Sequence, residues 1–122
     1  MTGFAHRFAT ALRHLEETKD ASGIAGLFAP DATLSNPLVR YDEGGEGAAE
    51  RFWSTYRGTF ANIRSTFRHI GEADGAAFLE WTSEGTKAGG EPFRYGGVTV
   101  LEHDGHRISA FRTYFDSAKL SG

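Results

Sequence analysis

The sequence predicts an α+β fold: a strongly curved, mixed β-sheet wrapped around three N-terminal helices, cone-shaped, with an internal pocket. Three observations predict it. The second half of the chain reads as four consecutive strands ending on Phe111-Arg-Thr-Tyr-Phe-Asp116. The first half reads as helices around one short strand, Asp31-Ala-Thr-Leu-Ser-Asn-Pro37. Helices followed by a meander in 122 residues leave room for a single domain, 1–122, with one core.

Phe4, Phe8, Ala11, Leu12 and Leu15 recur at helical steps, with His6, Arg7, Arg13, Glu16 and Glu17 between them, so an amphipathic helix is expected over about 3–19. Ser22-Gly23 opens a second, short helix carrying Ile24, Leu27 and Phe28, stopped by Pro30 and Asp31. Thr33 to Asn36 is extended, and Pro37 ends it. Asp42-Glu-Gly-Gly-Glu-Gly47 is an acidic connector; its glycines lack the Lys-Ser/Thr of a phosphate-binding loop. The third helix places Ala49, Phe52, Trp53, Tyr56 and Phe60 on one face, with Glu46 and Glu50 near its positive end.

Strands are expected at about 64–72, 76–86, 93–102 and 107–115, with Asp74-Gly75 and Asp104-Gly105 as two-residue hairpin turns. Alternation then assigns faces. Ala77, Leu79, Trp81 and Ser83 point inward; Phe78, Glu80, Thr82 and Glu84 point outward. In the last strand Ser109, Phe111, Thr113 and Phe115 point inward. A two-residue turn at Asp104-Gly105 pairs Val98 with Phe111, which turns Arg94, Val98 and Val100 inward as well. The outer face is left with Phe78, Tyr95, Leu101, Ile108 and Tyr114. That set is too apolar for full exposure, so a homodimer through this face is expected.

Composition excludes several functions. A formal charge of -3 and no basic stripe leave no footprint for nucleic acid. There is no cysteine for thiol chemistry or thiolate metal sites. No signal-like apolar run opens the chain and none is long enough to span a bilayer, so the expected setting is cytoplasmic, without a membrane. His103 and His106 flank a turn with no third ligand in sight, so no metal and no cofactor are expected.

The stretches Leu27-Phe-Ala-Pro-Asp-Ala-Thr-Leu-Ser-Asn-Pro37, Glu80-Trp81 leading to Gly85-Thr86, and Asp104-Gly105 leading to Phe111-Arg-Thr-Tyr-Phe-Asp116 resemble the SnoaL-like branch of the nuclear-transport-factor-like superfamily. Its members include ketosteroid isomerases, limonene epoxide hydrolases and polyketide cyclases. The resemblance covers almost the whole chain and implies the cone fold and a pocket for a small apolar or ring-containing molecule. It does not transfer an activity. Where ketosteroid isomerases carry a proton-shuttling aspartate, this chain has Asn36, which cannot act as a base near neutral pH. Limonene epoxide hydrolases also have Asn there, but their Arg and two Asp correspond to Trp81, Ser83 and Thr113. The acid of SnoaL-type cyclases also falls on Thr113.

The candidate ligand-binding set is therefore Asn36, Tyr56, Trp81, Ser83, Val98, Phe111, Thr113 and Phe115. The catalytic residue is unknown, with Asn36, Tyr56 and His69 as candidates. Asn36 is either a turn residue or a polar anchor of the pocket. Trp81 and Tyr56 either fill core or line the pocket. His69 faces Glu80 across the Asp74-Gly75 hairpin and reads as an outer-face ion pair unless the strand slips by one residue. Two functions remain open: an isomerase, hydrolase or cyclase of a small ring compound that lacks the usual carboxylates, and a non-catalytic ligand-binding or dimerisation domain.

Overall fold

The computed structural model describes residues 3–36, the backbone course of 40–41, and 47–115. Pro37, residues 42–46 of the acidic connector and Asp116 lie outside the described residues. In chain order the elements are α1 (Phe4–Thr18), α2 (Ser22–Ala25), β1 (Phe28–Ser35), β2 (Arg40–Tyr41), α3 (Ala48–Gly58), β3 (Phe60–Ala73), β4 (Ala76–Lys87), β5 (Pro92–His103) and β6 (Ile108–Phe115). The strands form one open sheet in the order β2-β1-β6-β5-β4-β3. β1 runs parallel to β6 and every other pairing is antiparallel, so the sheet is mixed as expected.

α1 buries Phe4, Ala5, Phe8, Leu12 and Leu15, and also Glu16. It lies along β3 and is tied to it at both ends. Near its start, which has no side-chain cap of its own, the Ala5 N–H donates to Glu72 at 3.2 Å. Near its other end Glu16 meets Ser65.

α2 is only one turn long, and Leu27 and Phe28 do not belong to it. Phe28 begins β1 instead, pairing with Ile108. Pro30 falls where the β1–β6 register shifts between Phe28 and Thr33, so its missing N–H interrupts no regular ladder. Phe60 likewise leaves α3 and starts β3.

The Asp74-Gly75 turn is a two-residue hairpin, with Ala73 opposite Ala76 and Gly75 at φ +74°. Further along, β3 bulges at Arg68, between Phe67↔Trp81 and His69↔Glu80. The bulge reverses which side chains face inward. His69 stays outside, while Phe67, Ser65 and Ile63 turn in.

The second hairpin differs from expectation. The Asp104 carboxylate accepts the N–H groups of His106 and Arg107, both at 2.8 Å, which builds a longer loop than two residues. Val98 consequently pairs with Tyr114 and Leu101 with Phe111. The displacement is an odd number of residues, so β5 presents the opposite face. Tyr95, Thr99 and Leu101 are buried, at 6%, 4% and 0% exposure, and Arg94 and Val98 face out, with Val100 half-buried on that same side. A further irregularity at Glu102/His103 leaves Ser109 exposed and buries Ile108 completely. Leu101, Tyr95 and Ile108 are therefore core, not outer-face, residues. Exposed Phe78, Val98 and Tyr114 mark the outer face instead.

The core divides in two. One cluster joins the helices to β1, β4, β5 and β6 around Phe8, Trp53 and Phe111. A smaller one gathers Phe60, Ile63, Trp81, Phe93 and Tyr95 at the far end of the long strands. Sheet curvature holds the two apart, and a cavity lies between them.

Candidate functional site

The cavity holds about 770 Å³ of atom-free space, its mouth included, and draws its walls from both clusters. Asn36, Tyr56, Trp81, Ser83, Phe111, Thr113 and Phe115 all line it. Two expected candidates do not. Val98 sits on the opposite sheet face, 37% exposed, because of the β5 register. His69 is also outside: its Nδ1 lies 2.7 Å from Glu80 Oε1, with the imidazole 77% exposed. That hydrogen bond holds the Glu80 carboxyl below the usual glutamate range.

The sheet delivers the inner side chains as rungs. One runs Ser65–Ser83–Tyr95 across β3, β4 and β5. The next runs Phe67–Trp81–Gly97–Phe115. The third brings Thr99 beside Thr113. Gly97 is needed for the middle rung: a Cβ there would lie 2.8 Å from Trp81 Cζ2 and 2.3 Å from the Tyr114 carbonyl oxygen. The indole uses that space.

Trp81 Nε1 donates to Thr99 Oγ1 at 3.0 Å, and Thr99 and Thr113 hydroxyls lie 2.9 Å apart. Thr113 Oγ1 donates to the Val98 carbonyl at 3.2 Å. One proton per hydroxyl sets the direction: Trp81 to Thr99, Thr99 to Thr113, Thr113 to backbone. This chain is closed and has no spare donor for a ligand.

The other polar group is built on Glu16. Glu16 is 6% exposed, and both of its oxygens engage Ser65: Oε1 accepts the backbone N–H at 3.0 Å and Oε2 meets the hydroxyl at 2.5 Å. Ser65 Oγ also contacts Ser83 Oγ, at 2.5 Å. Ser65, Ser83 and Tyr56 line the cavity, so a buried carboxyl stands one hydroxyl behind its wall. Burial raises the Glu16 pKa above the ordinary glutamate value; the bonds from Ser65 and the charges of Arg13 and Arg57 oppose this without cancelling it. Desolvation likewise keeps the Tyr56 and Tyr95 phenols well above their usual range, with Glu16 adding to both shifts. Among the described residues the wall itself holds no Asp, Glu, His, Lys or Arg, and the carboxyl acts from behind it. The clue was present in the sequence, because Glu16 continues the spacing of Phe4, Phe8 and Leu12 by four.

Two further buried groups border this region. Arg57, 5% exposed, donates from one terminal nitrogen to the Phe60 carbonyl at 2.8 Å. Trp53, 2% exposed, lines the cavity with its indole N–H unpartnered among the described residues. A buried orphan donor costs about 1–3 kcal/mol, and a ligand acceptor beside it would recover that.

Among the described residues no three His, Cys, Asp or Glu are grouped as metal ligands. His103 accepts the Gly105 N–H at 3.0 Å and stacks on Phe4 with ring centroids 4.3 Å apart. It therefore holds the β5–β6 loop and the start of α1 together. Arg68 belongs to a shallow outer depression with Glu80 and Tyr114, and Arg94 is exposed. No helix among the described residues is long and apolar enough to cross a membrane.

An open, bent sheet curling over N-terminal helices around an aromatic-walled cavity defines the cone-shaped α+β pocket proteins. More specifically, the chain belongs to the SnoaL-like domain family, whose profile matches residues 5–111. No curated protein sequence matches it. Among solved structures it is similar to an NTF2-like protein from Anabaena variabilis ATCC 29413, at TM-score 0.81 and 19% identity over 98% of this chain and 96% of that one. It is similar to a protein with a ketosteroid isomerase-like fold from Catenulispora acidiphila DSM 44928, solved with trimethylamine, at TM-score 0.80 and 18% identity over 97% and 90%. It is also similar to an LEH-like epoxide hydrolase from M. tuberculosis, at TM-score 0.70 and 19% identity over 94% and 84%. At these identities the likeness is one of fold.

Proposed function

We propose that this SnoaL-like chain takes a small, mostly apolar ring compound into its cavity and performs proton-assisted isomerisation, hydrolysis or cyclisation on it. The observation that carries this reading is the buried Glu16 carboxyl, joined through Ser65 to hydroxyls in an otherwise aromatic wall. Acid–base chemistry at neutral pH needs a group whose pKa has been moved toward the working range, and burial moves Glu16 in that direction. In this reading Asn36, Tyr56 and Ser83 contact the polar atoms of the compound, and Trp81, Phe111 and Phe115 hold its rings. Thr113 supplies an acceptor lone pair. The test is turnover on a panel of enones, epoxides and polyketide aldehydes. Activity on one class, lost in Glu16→Gln and in Ser83→Ala, is the expected result. Activity that survives both substitutions would refute the assignment.

A second reading, ligand binding without chemistry, is favoured by the closed Trp81–Thr99–Thr113 chain. Its two ends, Trp81 and Thr113, stand where the enzymes that this chain resembles carry ionisable groups. Ligand binding with no turnover anywhere on the panel selects it.

The proposal includes a homodimer. Phe78, Val98 and Tyr114 are 37–54% exposed on the outer sheet face, and a second copy of the same face would cover them. Sedimentation should give a dimer for the native chain and a monomer for Phe78→Glu; an unchanged mass in the variant places the contact elsewhere.

A further inference from the structure

We infer that Glu16, acting through Ser65, decides which hydrogen-bonding group the cavity accepts: a ring compound bearing a hydroxyl when Glu16 is ionised, and one bearing a carbonyl when it is neutral. The inference rests on the proposed small-molecule site and assigns its chemical selectivity.

The argument is a count of protons. Ser65 Oγ has two close partners, Glu16 Oε2 and Ser83 Oγ. A hydroxyl carries one proton, so it can donate to only one of them. An ionised Glu16 can only accept, and the Ser65 proton must go to it. Ser83 then donates to Ser65. Its proton points away from the cavity, and this hydroxyl offers the cavity lone pairs alone. A ligand hydroxyl fits that surface; a ligand carbonyl meets it acceptor to acceptor.

Protonation reverses the direction. A neutral Glu16 donates to Ser65, Ser65 donates its own proton to Ser83, and Ser83 turns its O–H into the cavity. The wall gains one donor, from which a carbonyl oxygen can accept. No side chain has to move, because the same contacts serve both directions.

The groups that face Glu16 do not compete for this role between pH 4 and 9. Arg13 on α1 and Arg57 on α3 remain charged. Tyr56 on α3 and Tyr95 on β5 remain neutral, their pKa values pushed up by burial. No histidine lines the cavity. Glu16 is left as the group whose titration reaches the wall, and burial lifts that titration toward neutral pH.

Three neutral probes of one ring size test this by calorimetry from pH 4 to 9: 2-acetonaphthone (carbonyl), 2-naphthalenemethanol (hydroxyl) and 2-methylnaphthalene (neither). The ketone should weaken relative to the alcohol by about three- to tenfold as pH rises through the Glu16 titration, the worth of one hydrogen bond. The hydrocarbon should be insensitive to pH. Glu16→Gln always offers a donor to Ser65, so it should bind the ketone at the acid-limb affinity at every pH. Ser65→Ala should abolish the pH dependence while keeping the carboxyl. A ketone-to-alcohol ratio that is flat in the native protein overturns the inference while leaving the pocket intact, provided the hydrocarbon binds. The same holds for a pH dependence that survives Glu16→Gln or Ser65→Ala. If none of the three probes binds, the proposed site fails and the inference falls with it.

Discussion

Thr99→Val removes one oxygen from the inner sheet face and keeps the side-chain shape. Thr99 is 4% exposed and accepts the Trp81 N–H at 3.0 Å. Trp81 itself is 8% exposed, so solvent has little access to replace the lost partner. The valine has no polar atom to leave unsatisfied, and Thr113 keeps its bond to the Val98 carbonyl. The cost is the orphaned indole N–H, about 1–3 kcal/mol. For a domain of this size 1 kcal/mol moves Tm by roughly 3–6 °C, so a mid-range loss of about 2 kcal/mol lowers it by roughly 6–12 °C. Denaturant and thermal melts read this directly. A cycle with Trp81→Phe isolates the pair, since the second loss should be much smaller once the first is made. Val98→Thr is the control: Val98 is 37% exposed on the outer face, and its replacement should stay within about 0.5 kcal/mol. A silent Thr99→Val together with a damaging Val98→Thr would restore the opposite β5 face and refute the register argument.

Other outcomes follow from the same geometry. Gly97→Ala puts a Cβ 2.3 Å from the Tyr114 carbonyl oxygen and against the Trp81 indole, and should cost about 1–3 kcal/mol with a shifted tryptophan emission; an unperturbed melt and spectrum would contradict it. His69→Ala removes only an exposed pair with Glu80, so stability should change by less than about 0.5 kcal/mol and any turnover should be retained. Loss of turnover in that variant would return His69 to the candidate bases. For Glu16 the sign is set by its raised pKa: the folded state holds the proton more tightly than the unfolded chain, so this group favours folding most below its unfolded value near 4.5 and loses that contribution as pH rises through the folded one. Glu16→Gln should therefore gain stability relative to the native protein between acid and neutral pH, measured as a difference of denaturation curves; a relative loss on raising pH would reverse the assigned shift.

Much of the architecture was legible because some local signals are unambiguous. Asp74-Gly75 can make only a tight turn, and it sets β4 so firmly that Leu79, Trp81 and Ser83 were placed inward from alternation alone. The β5 face was not legible, because Asp104-Gly105 looks like the same turn. The difference is made by the Asp104 carboxylate, which captures two further N–H groups and lengthens the loop. Nor does the sequence announce the bulge at Arg68, yet that bulge turns Ser65 toward Ser83, while His69, on the turn side of it, keeps its expected partner Glu80. Phe28 and Phe60 suit a helix face by spacing, but they begin strands because tertiary pairing decides such short apolar runs, and Leu27 falls in the turn before β1.

The candidate site was read less completely for a related reason. Seven of its expected residues do meet in the cavity, Val98 being lost to the register and His69 to the outer-face pair. Glu16 was passed over because a charged residue on an amphipathic helix is ordinarily solvated. Here its position four residues after Leu12 placed it on the buried stripe, and its Ser65 partners arrive from a strand 49 positions away.

The account turns on Glu16 being a buried, titratable neighbour of the cavity wall. Carboxyl-carbon NMR across pH, with the Ser65 amide followed in the same titration, measures this directly. A Glu16 midpoint above the usual 4.5, tracked by the Ser65 amide, is the predicted result. A midpoint at or below that value, with a Ser65 amide indifferent to it, would contradict the account.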